Sequence, residues 1–99
     1  MRRGEIWTYH PPTEQARSRT VLVLSSDGVN DSERPWLLGT ELLEQDPQDI
    51  LGVPLDGRYW ISTLGITRLY RPWLNEQVAE IDQDTQERVD VALRAALDL

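Results

Sequence analysis

Only one stretch of the chain has a helical period, and it is the last. Val89, Ala92, Leu93, Ala96 and Leu97 recur at the i, i+3, i+4, i+7, i+8 spacing of a single apolar helix face. Just before them, Asp84-Thr85-Gln86-Glu87 has the form of a capping box, with Asp84 accepting from the third helical N–H and Glu87 reaching back. The spacing predicts a helix over 84–97. The preceding residues are cut into short apolar runs by Gly, Pro, Asp and Asn, and show no repeat and no heptad. Many short strands closed by one terminal helix imply a mainly β (α+β) fold, a small and strongly curved barrel with a C-terminal α-helix. At 99 residues the chain reads as one domain spanning 1–99, too short for a two-domain enzyme.

The strands are read from composition and punctuation. Glu5-Ile6-Trp7-Thr8-Tyr9 is aromatic and β-branched, and His10-Pro11-Pro12 stops it. Val21-Leu22-Val23-Leu24 is a continuous apolar run of strand length, ended by the turn chemistry of Ser25-Ser26-Asp27-Gly28. A third strand is predicted over 36–43, where Gly39 marks a bulge or a close backbone approach. Further strands are predicted over 50–55, 59–63, 66–70 and 78–81, with turns at Asp56-Gly57 and Arg71-Pro72. Trp7 and Trp60 are expected to pack in the core, and Trp36 and Trp73, each beside a proline, to pack or to stack a base.

Composition removes several kinds of chemistry. With no Cys there is no disulfide scaffold, thiolate zinc site or cysteine nucleophile. Asp27-Gly28-Val29-Asn30-Asp31 lacks the glycine and glutamate spacing of a calcium loop, so neither a metal nor any other cofactor is expected. No apolar run is long enough to span a membrane, which points to a cytoplasmic protein. The net charge of −7 argues against nucleic acid as a partner for the chain as a whole. Its distribution does not: residues 74–99 carry −5, whereas residues 1–26 carry +2. All ten cations are Arg, the residue suited to bidentate phosphate contacts.

The N-terminal third carries a more specific pattern. Arg3-Gly4-Glu5-Ile6-Trp7, then Glu14-Gln15-Ala16, then Arg19 just before Val21-Leu22-Val23-Leu24-Ser25, and Asn30 a few residues on, resemble the MazF/PemK toxin endoribonuclease family of type II toxin–antitoxin pairs. Thr40 near the end of the third strand, the strand leading to Leu74 and the final helix follow in the family's order. The resemblance implies a small SH3-like or CcdB/MazF-like barrel that forms a homodimer. It also implies metal-independent, sequence-specific cleavage of single-stranded RNA, with the ribose 2′-hydroxyl as nucleophile and a 2′,3′-cyclic phosphate left behind. A cognate MazE-like antitoxin would cover the RNA groove with an acidic C-terminal tail.

Carried over residue by residue, the resemblance makes Arg19 and Thr40 catalytic and sets Glu14 in a loop over the active site. Arg17, Ser25, His10 and Arg68 are expected to bind substrate. A fixed guanidinium and a hydroxyl would stabilise the charge that in-line attack builds on the phosphate oxygens. Arg19 is too basic to take the proton, which leaves Glu14 or His10 as the base. Whether Thr40, Ser25 or Ser26 points into the groove depends on strand register, because a slip of one residue flips every side chain. Departures from the pattern, Arg19-Thr20 for Arg-Pro and Leu64-Gly65-Ile66-Thr67 for an acidic-Gln-Ile-Arg segment, favour an alternative: a catalytically inactive interaction protein of the same fold. A CcdB-like gyrase poison is the remaining alternative, and it needs an aromatic near the C-terminus that Ala95-Ala96-Leu97-Asp98-Leu99 lacks.

Overall fold

A computed structural model describes residues 1–12 and 18–99. Seven strands, β1 (Glu5–Tyr9), β2 (Arg19–Val23), β3 (Trp36–Leu43), β4 (Gly52–Leu55), β5 (Tyr59–Ser62), β6 (Thr67–Tyr70) and β7 (Leu74–Glu80), form one antiparallel sheet ordered β4-β5-β3-β2-β1-β7. A one-turn helix α1 (Asp27–Asn30) follows β2, a 3-10 turn over Arg71–Trp73 joins β6 to β7, and α2 (Gln83–Leu97) comes last. β6 lies off the main order, pairing with β3 at 36–39, while β5 takes the same strand at 42–43. β3 therefore forks the sheet, and the fork provides the curvature expected of a small barrel.

The sheet separates two apolar clusters. On one face Ile6, Leu22, Leu24, Leu42, Val53 and Ile61 pack with Ile81, Val89 and Ala92, so α2 covers that side. On the other face Tyr9, Val21, Val23, Leu37 and Leu69 pack together, with Trp7, Trp73 and Leu74 at their margin. The continuous apolar run at 21–24 is explained by this arrangement: alternate residues feed opposite clusters. Gly39 is a close approach, since a Cβ there would lie 2.4 Å from Leu69 Cδ1 and 2.5 Å from the Leu22 carbonyl oxygen. Asp56 and Gly57 both take positive φ, 55° and 66°, as the tight β4–β5 turn requires.

Several expectations need correcting. α2 is capped by Asp82, whose side chain accepts from the Thr85 N–H at 2.8 Å, and Asp84 lies inside the first turn. The earlier start places Ile81 directly before the cap, where it is buried in the core. Leu97 is 54% exposed, beyond the reach of the apolar cluster. β7 begins at Leu74, earlier than its apolar residues suggest, because an edge strand is held by main-chain bonds to β1 and needs little burial. The turn after β2 continues as α1, with the Ser26 side chain accepting from the Val29 N–H. Trp7 and Trp60 are half-buried, and Trp7 Nε1 donates to the Glu5 carboxylate at 2.9 Å. Among the described residues no helix is long and apolar enough to cross a membrane.

Candidate functional site

The register of β2 against β3 determines which side chains meet. Val21 stands opposite Glu41, and Leu22 opposite Thr40. Residues directly opposite in an antiparallel pair share a face, and neighbours along a strand alternate. Arg19, two residues before Val21 and opposite Tyr9, therefore shares its face with Glu41. Thr40 points through the sheet to the other side.

On the Arg19 face a cleft of about 280 Å³ opens between β1, β2, β3 and β6, with Tyr9, Arg19, Glu41, Thr67, Arg68 and Trp73 in its wall. A more polar groove of about 550 Å³ adjoins it, running past Ser18, Thr20, Glu44, Gln45 and Tyr59, and Arg19 and Glu41 line both. Both residues are solvent-exposed, at the boundary of the two spaces. Among the described residues no side-chain hydrogen bond or ion pair engages the Glu41 carboxylate. A guanidinium and a carboxylate on one face of an open cleft offer a cation suited to a phosphate oxygen and a group able to accept a proton.

The structure brings together some of the predicted site residues. Arg19 and Arg68 line the same cleft. Thr40 is 1% exposed, and its Oγ1 donates to the Ser62 carbonyl at 3.0 Å. Ser25 is also buried: its hydroxyl donates to Asn30 Oδ1 and accepts from the Leu38 N–H, while Asn30 Nδ2 donates back to the Ser25 carbonyl. These two hydroxyls serve the framework and do not reach the cleft. His10 follows β1, half-buried, its backbone N–H donating to the Trp73 carbonyl; it is in the wall of neither space. Glu14 and Arg17 lie outside the described residues. Glu41, Thr67 and Tyr9 are the additions. Only the pairing of β2 with β3 distinguishes Glu41 from Thr40, and the pattern of either strand alone does not contain it.

A separate cavity of about 430 Å³ lies between β4 and α2, walled by Ile50, Val53, Pro54, Val91 and Ala92. Its charged border is the surface pair Arg88–Asp84, 3.1 Å apart. Among the described residues no cluster of three His, Cys, Asp or Glu is placed to hold a metal ion.

No family model matches the chain, and no curated protein matches it either. Solved structures do. An endoribonuclease from a mycobacterial species superposes with a TM-score of 0.83 at 16% identity, covering 100% of this chain and 92% of that one. A mycobacterial endoribonuclease in complex with its cognate antitoxin gives 0.84 at 18% identity, covering 100% and 96%. A MazE-MazF crystal structure from Deinococcus radiodurans gives 0.82 at 20% identity, covering 100% and 97%. At these identities the likeness is one of fold, over the full length of the chain.

Proposed function

We propose that the chain is an endoribonuclease toxin that cuts single-stranded RNA without a metal, and that Arg19 and Glu41 are its working pair. The observation that carries this reading is their shared face, which sets a guanidinium and a carboxylate at the junction of two open spaces. Glu41 takes the proton of the ribose 2′-hydroxyl, and the freed oxygen attacks the adjacent phosphorus. Arg19 donates to the non-bridging oxygens as charge builds on them. The bond to the 5′-oxygen breaks, that oxygen takes a proton from water, and a 2′,3′-cyclic phosphate remains. In this reading Glu41 takes the base role expected of Glu14 or His10, and Glu14 and Arg17 act on the substrate from the sequence between β1 and β2.

The similar structures support a partner as well as a fold. One is of an endoribonuclease with its cognate antitoxin, and another is of MazE-MazF. An antitoxin that lays an acidic tail along Arg19 and Arg68 would pair with those two cations, and a homodimer with a cytoplasmic address completes the reading.

The test is incubation of the purified protein with a long unstructured RNA in EDTA, with the cut ends mapped. Discrete cuts leaving 2′,3′-cyclic phosphate are expected. Arg19→Ala and Glu41→Gln should each slow them about 10²–10³-fold. Cleavage that survives Glu41→Gln unchanged removes Glu41 from the chemistry. RNA left intact by the wild type favours the inactive interaction protein, a reading that the net charge of −7 supports.

A further inference from the structure

The strand arithmetic that separates Thr40 from Glu41 also creates a second surface. Trp36 and Leu38 share a face of β3, and their partners on β6 are Tyr70 and Arg68. Trp36 is 39% exposed and Leu38 45%, an unusual density of open apolar surface for two alternate positions of one strand. The Arg68 guanidinium lies over the Trp36 ring, 4.5 Å from its centroid. The Tyr70 ring supports Trp36 from beside it at 5.0 Å, Trp73 follows Tyr70 at 4.9 Å, and Tyr9 follows Trp73 at 6.1 Å. Tyr9, Trp73 and Arg68 are also walls of the Arg19–Glu41 cleft. Trp36 and Leu38 lie on the Thr40 side of β3, opposite Glu41, and the ring contacts with Arg68 link the two sides around β6.

We propose that Trp36 and Arg68 form a nucleobase-stacking subsite reached around β6 from the Arg19–Glu41 cleft, with Arg68 at the border of both, taking the base of a nucleotide that flanks the scissile phosphate; it rests on the RNA-cleaving reading above. A guanidinium plane seated on an indole is a flat cationic surface, and single-stranded nucleic acid is held by stacking on aromatic rings and on Arg planes. Charge favours the same occupant. Residues 57–75 contain Arg58, Arg68 and Arg71 and no acid, a cationic island in a chain of net charge −7. Arg71 is committed to the framework, donating to the carbonyls of Asn30, Ser32 and Arg34, whereas Arg68 makes its contact with the Trp36 ring and is otherwise exposed.

The test reads binding apart from cleavage. A labelled single-stranded 2′-O-methyl oligonucleotide of mixed sequence cannot be cut, because it lacks the attacking hydroxyl. Its affinity is measured for the wild type, Trp36→Leu, Trp36→Phe and Arg68→Ala, and for copies of the strand made abasic at each position in turn. Trp36→Leu and Arg68→Ala should weaken binding roughly 5- to 100-fold, and Trp36→Phe should recover most of the loss. Removing the base at one position should abolish the difference between wild type and Trp36→Leu, since the stack is then already gone. Losses that multiply independently at every abasic position overturn the subsite, as does a wild type that fails to bind the strand. A Trp36→Leu protein that changes its assembly mass with unchanged affinity also overturns it, making this face a contact between copies. Because the probe is uncleavable, a protein that binds with this coupling yet never cuts RNA refutes the endoribonuclease and keeps the subsite. Normal cutting with no effect of Trp36 does the reverse.

Discussion

The Tyr9 hydroxyl accepts a hydrogen bond from the Tyr70 backbone N–H at 2.9 Å, joining residues 61 apart in sequence. β1 and β6 do not pair with each other, so this bond ties two walls of the cleft directly. The Tyr9 ring is buried at 6% exposure, and its hydroxyl is the part of it that reaches β6. Tyr9→Phe keeps the ring and leaves the Tyr70 N–H without its acceptor. It should cost about 1–2 kcal/mol in urea unfolding and lower cleavage without changing the ends produced.

Ser25 and Asn30 form a closed pair with the Leu38 N–H beneath the surface. Asn30 is 2% exposed. Ser25→Ala should destabilise by about 1–2 kcal/mol, while cleavage measured well below the melting temperature persists. Asn30→Asp sets a carboxylate oxygen against the Ser25 carbonyl in place of the amide donor and should cost about 1–3 kcal/mol. A Ser25→Ala protein that is fully stable yet inactive would return Ser25 to the substrate.

Gly39 has no room for a side chain, because one of the two atoms in the way is the Leu22 carbonyl oxygen, which its own strand fixes. Gly39→Ala should lose about 2–3 kcal/mol of unfolding free energy by chemical denaturation. Gly28→Ala is the control: the nearest atom to its added Cβ is Ser26 Oγ at 3.8 Å, and stability should hold.

The α2 cap gives the fold a stated response to acid. Hydrogen bonds from the Thr85 backbone N–H, and then from the Thr85 side chain, hold the Asp82 carboxyl below its ordinary value of 3.8. A carboxyl lowered in the folded state stabilises fully above that ordinary value, and its contribution is lost as pH falls through the lowered one. Asp82→Ala should lower the neutral melting temperature by roughly 5 °C, with the gap to wild type closing under acid. Asp84→Ala, which removes only the exposed pair with Arg88, should shift it little.

Self-association follows from the proposed function and from the exposed edge strand β7, whose outer side has no neighbour in the sheet among the described residues. Sedimentation equilibrium at micromolar concentration should return twice the 11.4 kDa chain mass. A single species of chain mass would contradict the homodimer.

Much of the fold was legible where one signal had one meaning. Trp36–Leu43 and Glu5–Tyr9 are bounded by prolines and polar runs, and both strands were read with their observed limits. Asp56-Gly57 has the pair of residues that tolerates two positive φ values in succession. Reading failed where two residues offered the same signal or where none did. Asp82 and Asp84 are equally able caps, and the choice falls to the one that lets Ile81 enter the core. Polar Asn75, Glu76 and Gln77 carry no strand pattern, yet the β1 edge recruits them. At the site, Arg19 stood out through its motif, but Glu41 required the register of one strand against another, which no single strand encodes.

The fork in the sheet changes how a loss of function at Thr40 should be interpreted. β6 leaves β3 after Gly39 and β5 joins it at Leu42, so on that edge residues 40 and 41 have no ladder partner. Across this gap the Thr40 hydroxyl donates to the Ser62 carbonyl at the end of β5, extending the hold of β3 on β5 past the last ladder pair. Losing it frees the Ser62 end of β5 from β3 beside residues 40 and 41, next to the cleft that Glu41 lines. A loss of cleavage in Thr40→Val would therefore have a mechanical reading beside the chemical one: a buried hydroxyl that holds the end of β5 against β3.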